Sequence, residues 1–454
     1  MHRQQPILYL LLVVSLVCYY LLGYEILRQD TLSLFVVYGF LFLIYLWIIN
    51  SSSDQTISFW IVGSLCFRFT LLFSLPQLSD DFYRFVWDGR LWAAGQHPYG
   101  TLPAVYLNLN IPGIDQNLYD HLNSKEYLTI YPPVAQYIFW LAVKISPNSI
   151  LGSVIAMRVF VLLAEIGSIL LIKKLLNLFN WQKKNVLLYA LNPLIIMELT
   201  GNLHFEAFVI FFLLLTGFFL SRNVILTTAA SIGVAVCTKL LPLIFLPSFI
   251  GRLRVKHLLL FTLTVTATCL LLFFPFFDWD VFNSLRSSVG LYFNKFEFNA
   301  SLYYIVREVG YTMYGYNIIQ TVGWKLGLIT FVLILTFVWI RKQQSALKGD
   351  ETKKELFQDW MWILCIYFLF TTTLHPWYIT TLLALSVFTP YRFPVVWTGL
   401  IFLTYAGYTS DSFHEVFELT AIEYGIVIAY LIYELWKRRD TLLIRIRKQD
   451  PIEV

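Results

Sequence analysis

Apolar runs near the ~20-residue length that crosses a bilayer as a helix recur from one end of the chain to the other, separated by short polar joints. The first three predict helices over Pro6–Tyr24, Thr31–Ile49 and Ile57–Leu75. A polar stretch then runs to Tyr131, followed by apolar segments at Pro132–Ser146 and Ser149–Ile172. Further helices are predicted over Asn185–Leu199, Phe205–Leu220 and Val224–Thr238. Leu240–Ile250 reads as a short return segment bent by Pro242 and Pro247, because a proline removes a helix hydrogen bond. Beyond it lie His257–Phe274, a polar loop at Phe277–Tyr316, and runs at Ile318–Ile340, Leu356–Thr373, Tyr378–Phe388, Pro394–Tyr408 and Leu419–Trp436. The pattern predicts an all-α polytopic membrane protein of about 13 or 14 transmembrane helices, organised as a single domain. Its parts are N-terminal spans (1–75), a first major outer loop (76–131) and a second outer loop (277–316).

Composition sharpens the class. Of 454 residues, 58% are hydrophobic and only 13% charged, about half the charge of a soluble protein. The five cysteines (Cys18, Cys66, Cys237, Cys269, Cys365) all lie in apolar runs, without metal-ligand or disulfide spacing. The first run has no small-residue cleavage site and is expected to remain as an anchor. The net charge of +5 does not point to nucleic acid, since the basic residues cluster beside apolar spans, where they set orientation. The sequence has neither a phosphate-binding glycine loop nor a dinucleotide fingerprint.

Charge also sets the expected topology. Lys173, Lys174, Lys183, Lys184, Arg222, Arg252, Arg254 and Lys256 all become cytoplasmic only if the chain crosses once between Tyr131 and Ile172. Pro132–Ser146 is therefore expected to dip into the membrane or lie beside it as a juxtamembrane helix. Both termini are then cytoplasmic. Asp80 and Asp81, Thr200–His204, Lys239, the second outer loop and His375-Pro376-Trp377-Tyr378 all fall on the outer face.

That face holds the candidate chemistry. Asp80 and Asp81 open the segment SDDFYRFVWDGRLWAAGQHPYG, where charge beside a membrane is costly and tends to be functional. A carboxylate there can act as general base on a hydroxyl that attacks a sugar carbon. A departing phosphate then needs nearby cations, for which Lys239, Arg286, Lys295, Arg307 and His375 are the candidates. Trp87, Trp92, Tyr99, Tyr131, Trp377 and Tyr378 suit sugar stacking and equally suit an interfacial aromatic belt. Each residue has a plainer alternative. Asp80 and Asp81, with Ser79, could cap a helix, and Arg84 and Arg90 could pair with Asp88 or Asp81. Lys239 could snorkel to the interface, and His375 could cap a helix pair. Glu165 and Glu198 could pair with other helices.

With those residues in hand, the chain resembles a multispanning glycosyltransferase of the GT-C type that uses a polyprenyl-phosphate sugar. It is most similar to polyprenyl- or dolichyl-phosphate-mannose-dependent mannosyltransferases, including the eukaryotic enzyme that adds the first mannose to glycosylphosphatidylinositol. The similarity runs through Asp80-Asp81-Phe82-Tyr83, Gly95-Gln96-His97-Pro98-Tyr99, Tyr131-Pro132-Pro133, Leu191-Asn192-Pro193-Leu194 with Gly201-Asn202, Thr238-Lys239-Leu240-Leu241-Pro242 and His375-Pro376-Trp377-Tyr378, in that order. Distance to Gly95 favours Asp81 as the family acid, with Asp80 the runner-up. Adjacent aspartates depart from the family's D-x-D, D-E or single Asp, and the additional spans before them are unlike eukaryotic members and more like bacterial envelope enzymes.

The resemblance implies a GT-C-like bundle with outer-face juxtamembrane helices and an inverting transfer of a hexose, with mannose favoured, to a glycan, lipid or protein hydroxyl. Asp81 or Asp80 would be the base, and Lys239, Arg286 or His375 would hold the donor phosphate. Arg84, Arg90, Tyr99, Tyr131, Asn202, His204, Trp377 and Tyr378 would contact substrate. No cofactor is required, and a divalent metal is not demanded. The enzyme is expected in a bacterial inner membrane with its active site facing the periplasm. A proton-coupled transporter or lipid flippase is the rival reading; it calls for functional charge near the bilayer midplane, whereas here the charge gathers at one face. An O-antigen-type ligase with a diphosphate donor would need more phosphate-binding arginines.

Overall fold

The computed structural model describes residues 5–277, 282–283, 286–287, 290, 295–345, 354–409 and 413–447, and of residues 5, 344–345 and 440–447 only the backbone. Among these residues there is no strand, and isolated bridges such as Phe298 with Thr373 are the nearest approach to one. Much of the second outer loop, including most of 278–294, lies outside the described residues.

The N-terminal helices are α1 (Gln5–Tyr20, continued by a π turn Leu21–Glu25), α2 (Thr31–Ser51) and α3 (Ile57–Thr70). The segment carrying the paired aspartates is itself helical: α4 spans Asp81–Ala93, starting at the second aspartate. It buries the apolar side chains of Phe82, Phe85, Val86, Trp87 and Leu91. Two further helices follow, α5 (Pro133–Ile145) and α6 (Ile150–Leu178). At 13 residues, α5 rises about 20 Å, too little to cross a hydrocarbon core of about 30 Å. It packs along α4, and Gly89 is the point of closest approach, where a Cβ would stand 2.5 Å from the Phe139 carbonyl oxygen.

Next come α7 (Glu206–Ser221), α8 (Ile225–Thr238) and α9 (Val255–Phe273), packed in series, with α7 also against α6. The C-terminal part comprises α10 (Leu302–Tyr314), α11 (Ile319–Ser345), α12 (Leu356–Phe370), α13 (Tyr378–Ser386), α14 (Phe393–Leu400) and α15 (Phe417–Arg447).

Six helices among the described residues are long and apolar enough to cross a membrane, and a bent pair raises the number to 7. Five further apolar helices among the described residues are shorter, at 10–17 residues, and include α3, α5, α8 and α12. The chain is thus an all-α polytopic membrane protein, in which the about 13 or 14 apolar runs read as spans divide between long helices and short ones. Local breaks explain the difference. Over Asn185–Leu199 the expected straight span becomes a short helix Val186–Ala190, then Pro193–Ile195, then a π turn Ile196–Gly201. Pro193 supplies no amide donor there, and Asn192 accepts from the amides of Leu194 and Ile195 at 3.0 and 3.3 Å, restarting the helix on a new axis. The segment Pro193–Gly201 then meets α7 at a bend of 114°.

Buried ions lock these breaks in place. Arg68 on α3 forms a two-point pair with Glu165 on α6 at 2.9 and 3.0 Å, with both side chains fully buried. Arg158, also on α6, has no carboxylate partner among the described residues. It donates to the carbonyls of Thr200, Gly201, Leu72 and Ser74 at 2.5 to 2.9 Å. One guanidinium therefore ties the chain leaving α3, which leads to the aspartates, to the π turn that leads to His204. Five donors in a planar fork make arginine able to serve four carbonyls at once.

Candidate active site

The chain enters α4 through Ser79 and Asp80. Asp80 occupies the N-cap position but makes no capping bond with its side chain. Instead its carboxylate accepts from Arg28 at 2.8 Å, and Arg28 also lies over the Tyr408 ring at 4.7 Å from its centroid. Asp81 has no cationic partner among the described residues; its Oδ1 accepts from the side-chain amide of Asn123 at 2.7 Å. Two neighbouring carboxylates thus stand in different settings. One is neutralised by a cation, and the other is held only by a neutral donor.

Behind them, Asp88 anchors the site. It is buried and accepts from Arg84 at 2.8 Å, from Gln136 at 2.9 Å and from the Thr129 hydroxyl. Arg84 also donates to the carbonyls of Ser124 and Tyr127 at 3.2 and 3.0 Å. These bonds fasten the 124–131 loop to α4 and α5, so Arg84 is committed to the frame. Arg90 likewise donates to the carbonyl of Gly113 at 2.6 Å. Tyr99 is buried and donates to the Tyr131 carbonyl. Asn202 is buried, accepting from the Leu78 amide at 3.2 Å and donating to Glu198 at 3.2 Å. All four were expected at substrate; the structure gives them framing bonds, and of the four only Arg84 borders either of the two cavities that meet at Asp81.

Two cavities meet at Asp81. The first, of about 270 Å³, is lined by polar groups of Arg28, Asp80, Asn123 and Ser124 and by the rings of Tyr127, Phe296 and Tyr408. The second, of about 400 Å³, has an aliphatic wall of Leu240, Leu241, Leu243 and Ile244, and carries Lys239, His204 and Tyr378. Asp81, Ile130, Tyr131 and Trp377 border both. Asp80 borders only the first.

Lys239 follows the end of α8, where the extended backbone of a broken helix turns it toward α7. Its ammonium pairs with Glu206 at the first turn of α7 and lies 5.2 Å from the Tyr378 ring centroid. Glu206 Oε2 is buried with no hydrogen-bond partner among the described residues. His204 stands 3.4 Å from Glu198, which also accepts from the Tyr405 hydroxyl at 2.6 Å. Arg286 is exposed and lines neither cavity. Lys295 is exposed, and Arg307 pairs with Glu297 at 2.9 Å and with Glu308, away from both cavities.

His375-Pro376-Trp377-Tyr378 joins α12 to α13. The indole of Trp377 is covered on both faces, by His204 with centroids 3.8 Å apart and by His375 at 4.4 Å, with planes 20° and 10° from parallel. Phe298 continues the stack beyond His375 at 4.5 Å, and Phe413 beyond that at 4.7 Å. The backbone bonds between Phe298 and residues 372 and 374, at 3.1 and 2.8 Å, hold the stack in register. Trp377 therefore has no open face for a sugar, contrary to the stacking expected of it. Burial, with Lys239 and His204 nearby, pulls the His375 pKa down to about 3, so the imidazole is neutral where the sequence reading asked for a cation.

Arg28, Asn123, Glu206 and Tyr408 escaped the sequence reading. Each is an ordinary polar or aromatic residue without a motif around it, brought to the site from a distant part of the chain. Glu206 alone left a trace, two positions after His204 at a helix start.

Residues 17–255, more than half of the chain, match the family model described as MptA_B family, alpha-(1->6)-mannopyranosyltransferase, N-terminal domain. The match takes in Asp80, Asp81, His204 and Lys239 and ends before the His375–Tyr378 segment. No curated protein matches the chain significantly.

Proposed function

Because the chain belongs to this family of membrane mannosyltransferases, we propose that it transfers mannose from a polyprenyl-phosphate donor to a hydroxyl of a glycan, forming the α-(1→6) linkage in the family's description. The observation that carries this reading is the position of Asp81, which, among the described residues, is the one carboxylate that borders both cavities and has no cationic partner.

In this reading the donor lies in the larger cavity, its lipid along the aliphatic wall and its phosphate beside Lys239. The acceptor enters the polar cavity. Asp81 takes the proton of the acceptor hydroxyl as its oxygen bonds to the anomeric carbon. The bond from that carbon to the phosphate oxygen breaks on the opposite face, and the lipid phosphate leaves with the electron pair. Displacement from opposite faces inverts a β-linked donor to an α-linked product. Lys239 is the one of the three expected phosphate cations that shares a cavity with both Asp81 and an aliphatic wall. A cation preset at the leaving group stabilises charge that grows in the transition state, and counts for more in a partly dehydrated site. A monophosphate offset in this way does not call for a divalent metal. The site faces the periplasm of a bacterial inner membrane, with both termini cytoplasmic, in keeping with the basic residues that cluster at the opposite helix ends.

The test is transfer from a panel of defined polyprenyl-phosphate sugars by purified wild type and Asp81→Asn, with and without EDTA. Mannose transfer that survives EDTA and collapses in Asp81→Asn is expected. Equal turnover by wild type and Asp81→Asn would refute Asp81 as base. Transfer only from a nucleotide sugar or a diphosphate-linked donor would refute the donor class.

A further inference from the structure

His375 and Trp377 pose a problem that the reaction outlined above leaves unsolved. A tryptophan at the meeting point of two sugar-sized cavities would ordinarily offer a face to a pyranose, yet both faces of Trp377 are occupied. Only its rim, with the indole N–H, is left for a substrate.

The histidine on one side cannot easily be a cation. Its Nδ1 is buried with no hydrogen-bond partner among the described residues. Protonating that nitrogen would create a buried N–H with no acceptor, which costs about 1–3 kcal/mol for a neutral group and more for a charged one. The groups facing it compound the cost. Lys239 arrives from the end of α8, His204 from the turn before α7, and Tyr378 stands edge-on at 5.5 Å. Arg28, Asp80 and Asp81 border the cavity that His375 also lines, and the two acids already have donors in Arg28 and Asn123. On its other side is Phe298. An Nδ1 with no partner among the described residues, the parallel Trp377 ring on one side, the tilted Phe298 ring on the other and a nearby ammonium describe an aromatic spacer.

We propose that His375 is a positioning residue that works as a neutral ring: with His204 it clamps Trp377 so that the indole presents its edge to the hexose at the junction of the two cavities. The inference rests on the mannosyl-transfer reading for what passes the junction, but not for the state of the imidazole. Parallel offset rings at these spacings favour one another by about 0.5–1.5 kcal/mol beyond burial, which suits a residue whose task is to hold another in one rotamer. The clamp also explains why the segment that bears it is pinned by backbone bonds to residue 298. The stack extends through that residue, so the indole is located by the fold on both sides.

Phenylalanine at 375 retains the ring and abolishes any charge, whereas alanine removes both. His375→Phe is expected to keep kcat and both KM values within a few-fold of wild type, with an unshifted pH profile. His375→Ala is expected to lower kcat on the order of 10- to 100-fold, the scale of a misplaced contact, and to lower the melting temperature in detergent. Equal rises in donor KM for both variants would overturn the proposal in favour of a phosphate-binding cation. An independent readout needs no activity. In protein labelled with ¹⁵N-histidine, the imidazole signal missing from His375→Phe should stay neutral from about pH 8 to about pH 5, far below the ordinary histidine pKa of about 6.5. His375→Gln identifies the signal should the phenylalanine variant fold poorly. A signal that protonates near the ordinary value would overturn the proposal. Absence of mannose transfer by the wild type would instead refute the function while the labelled imidazole still decided the state of His375.

Discussion

The Arg28 guanidinium meets the Asp80 carboxylate at 2.8 Å, while Asp81, the next residue, is met only by the amide of Asn123. The pair is partly exposed, so its energy is modest, about 0–1 kcal/mol for a surface bridge. Its consequence is chemical. One acid is occupied, and the other is left to border both cavities.

If Asp81 is the base, Asp81→Asn should lower kcat by ~10²–10⁴-fold with little change in donor KM. Asp80→Asn should cost much less, because its charge is already offset. Steady-state kinetics on the two purified variants decide the matter. A larger loss in Asp80→Asn would reverse the assignment.

Arg28→Met tests the division of labour. It removes the cation that occupies Asp80 and that borders the polar cavity. Acceptor KM should therefore rise several-fold in Arg28→Met while donor KM stays near wild type. An unchanged acceptor KM would mean that Arg28 does not shape the acceptor side.

Lys239→Met keeps the length of the side chain and removes the charge. It also strands the Glu206 carboxylate, which is itself nearly buried, so the single variant should lose stability as well. The informative protein is the double variant Lys239→Met with Glu206→Gln, which removes both charges. Its melting temperature should recover most of what the single variant loses. Donor KM should rise and kcat should fall, while acceptor KM stays near wild type. Wild-type donor parameters in the double variant would reduce Lys239 to an interfacial anchor.

Orientation is open to chemical labelling. Asn108 and Asn283 are exposed in the two loops expected outside, and Gln343 is exposed at the C-terminal end of α11. In intact cells, cysteines at 108 and 283 should react with an impermeant thiol reagent and one at 343 should not. The reverse pattern would place the active site on the cytoplasmic face.

Much was legible from order and composition alone. The long apolar helices at Thr31–Ser51 and Ile319–Ser345 nearly coincide with the runs that predict them, because in lipid a backbone must satisfy its own hydrogen bonds and length is set by the bilayer. The short motifs also mattered. Asp81, Tyr131, His204, Lys239, Trp377 and Tyr378, quoted from five separate stretches, all line the second cavity. Motifs at the broken ends of helices are the places where a membrane protein can bring backbone turns and charge together.

Only the tertiary structure decided which of those polar residues are tied into the frame and which border both cavities. Arg84 and Asp81 lie three positions apart on one helix, and nothing local separates them; their roles diverge because Asp88, Ser124 and Tyr127 converge on the arginine while cavities open beside the aspartate. Arg28 reaches Asp80 across 52 positions, and Glu206 reaches Lys239 across 33. His375 reads as a cation in a list of residues and is a neutral ring in the fold, since ionisation depends on what surrounds a group. Periodicity and motif record what a residue is and which way its helix runs. Ion pairing, burial and stacking are relations between distant segments, and those exist only once the chain has packed.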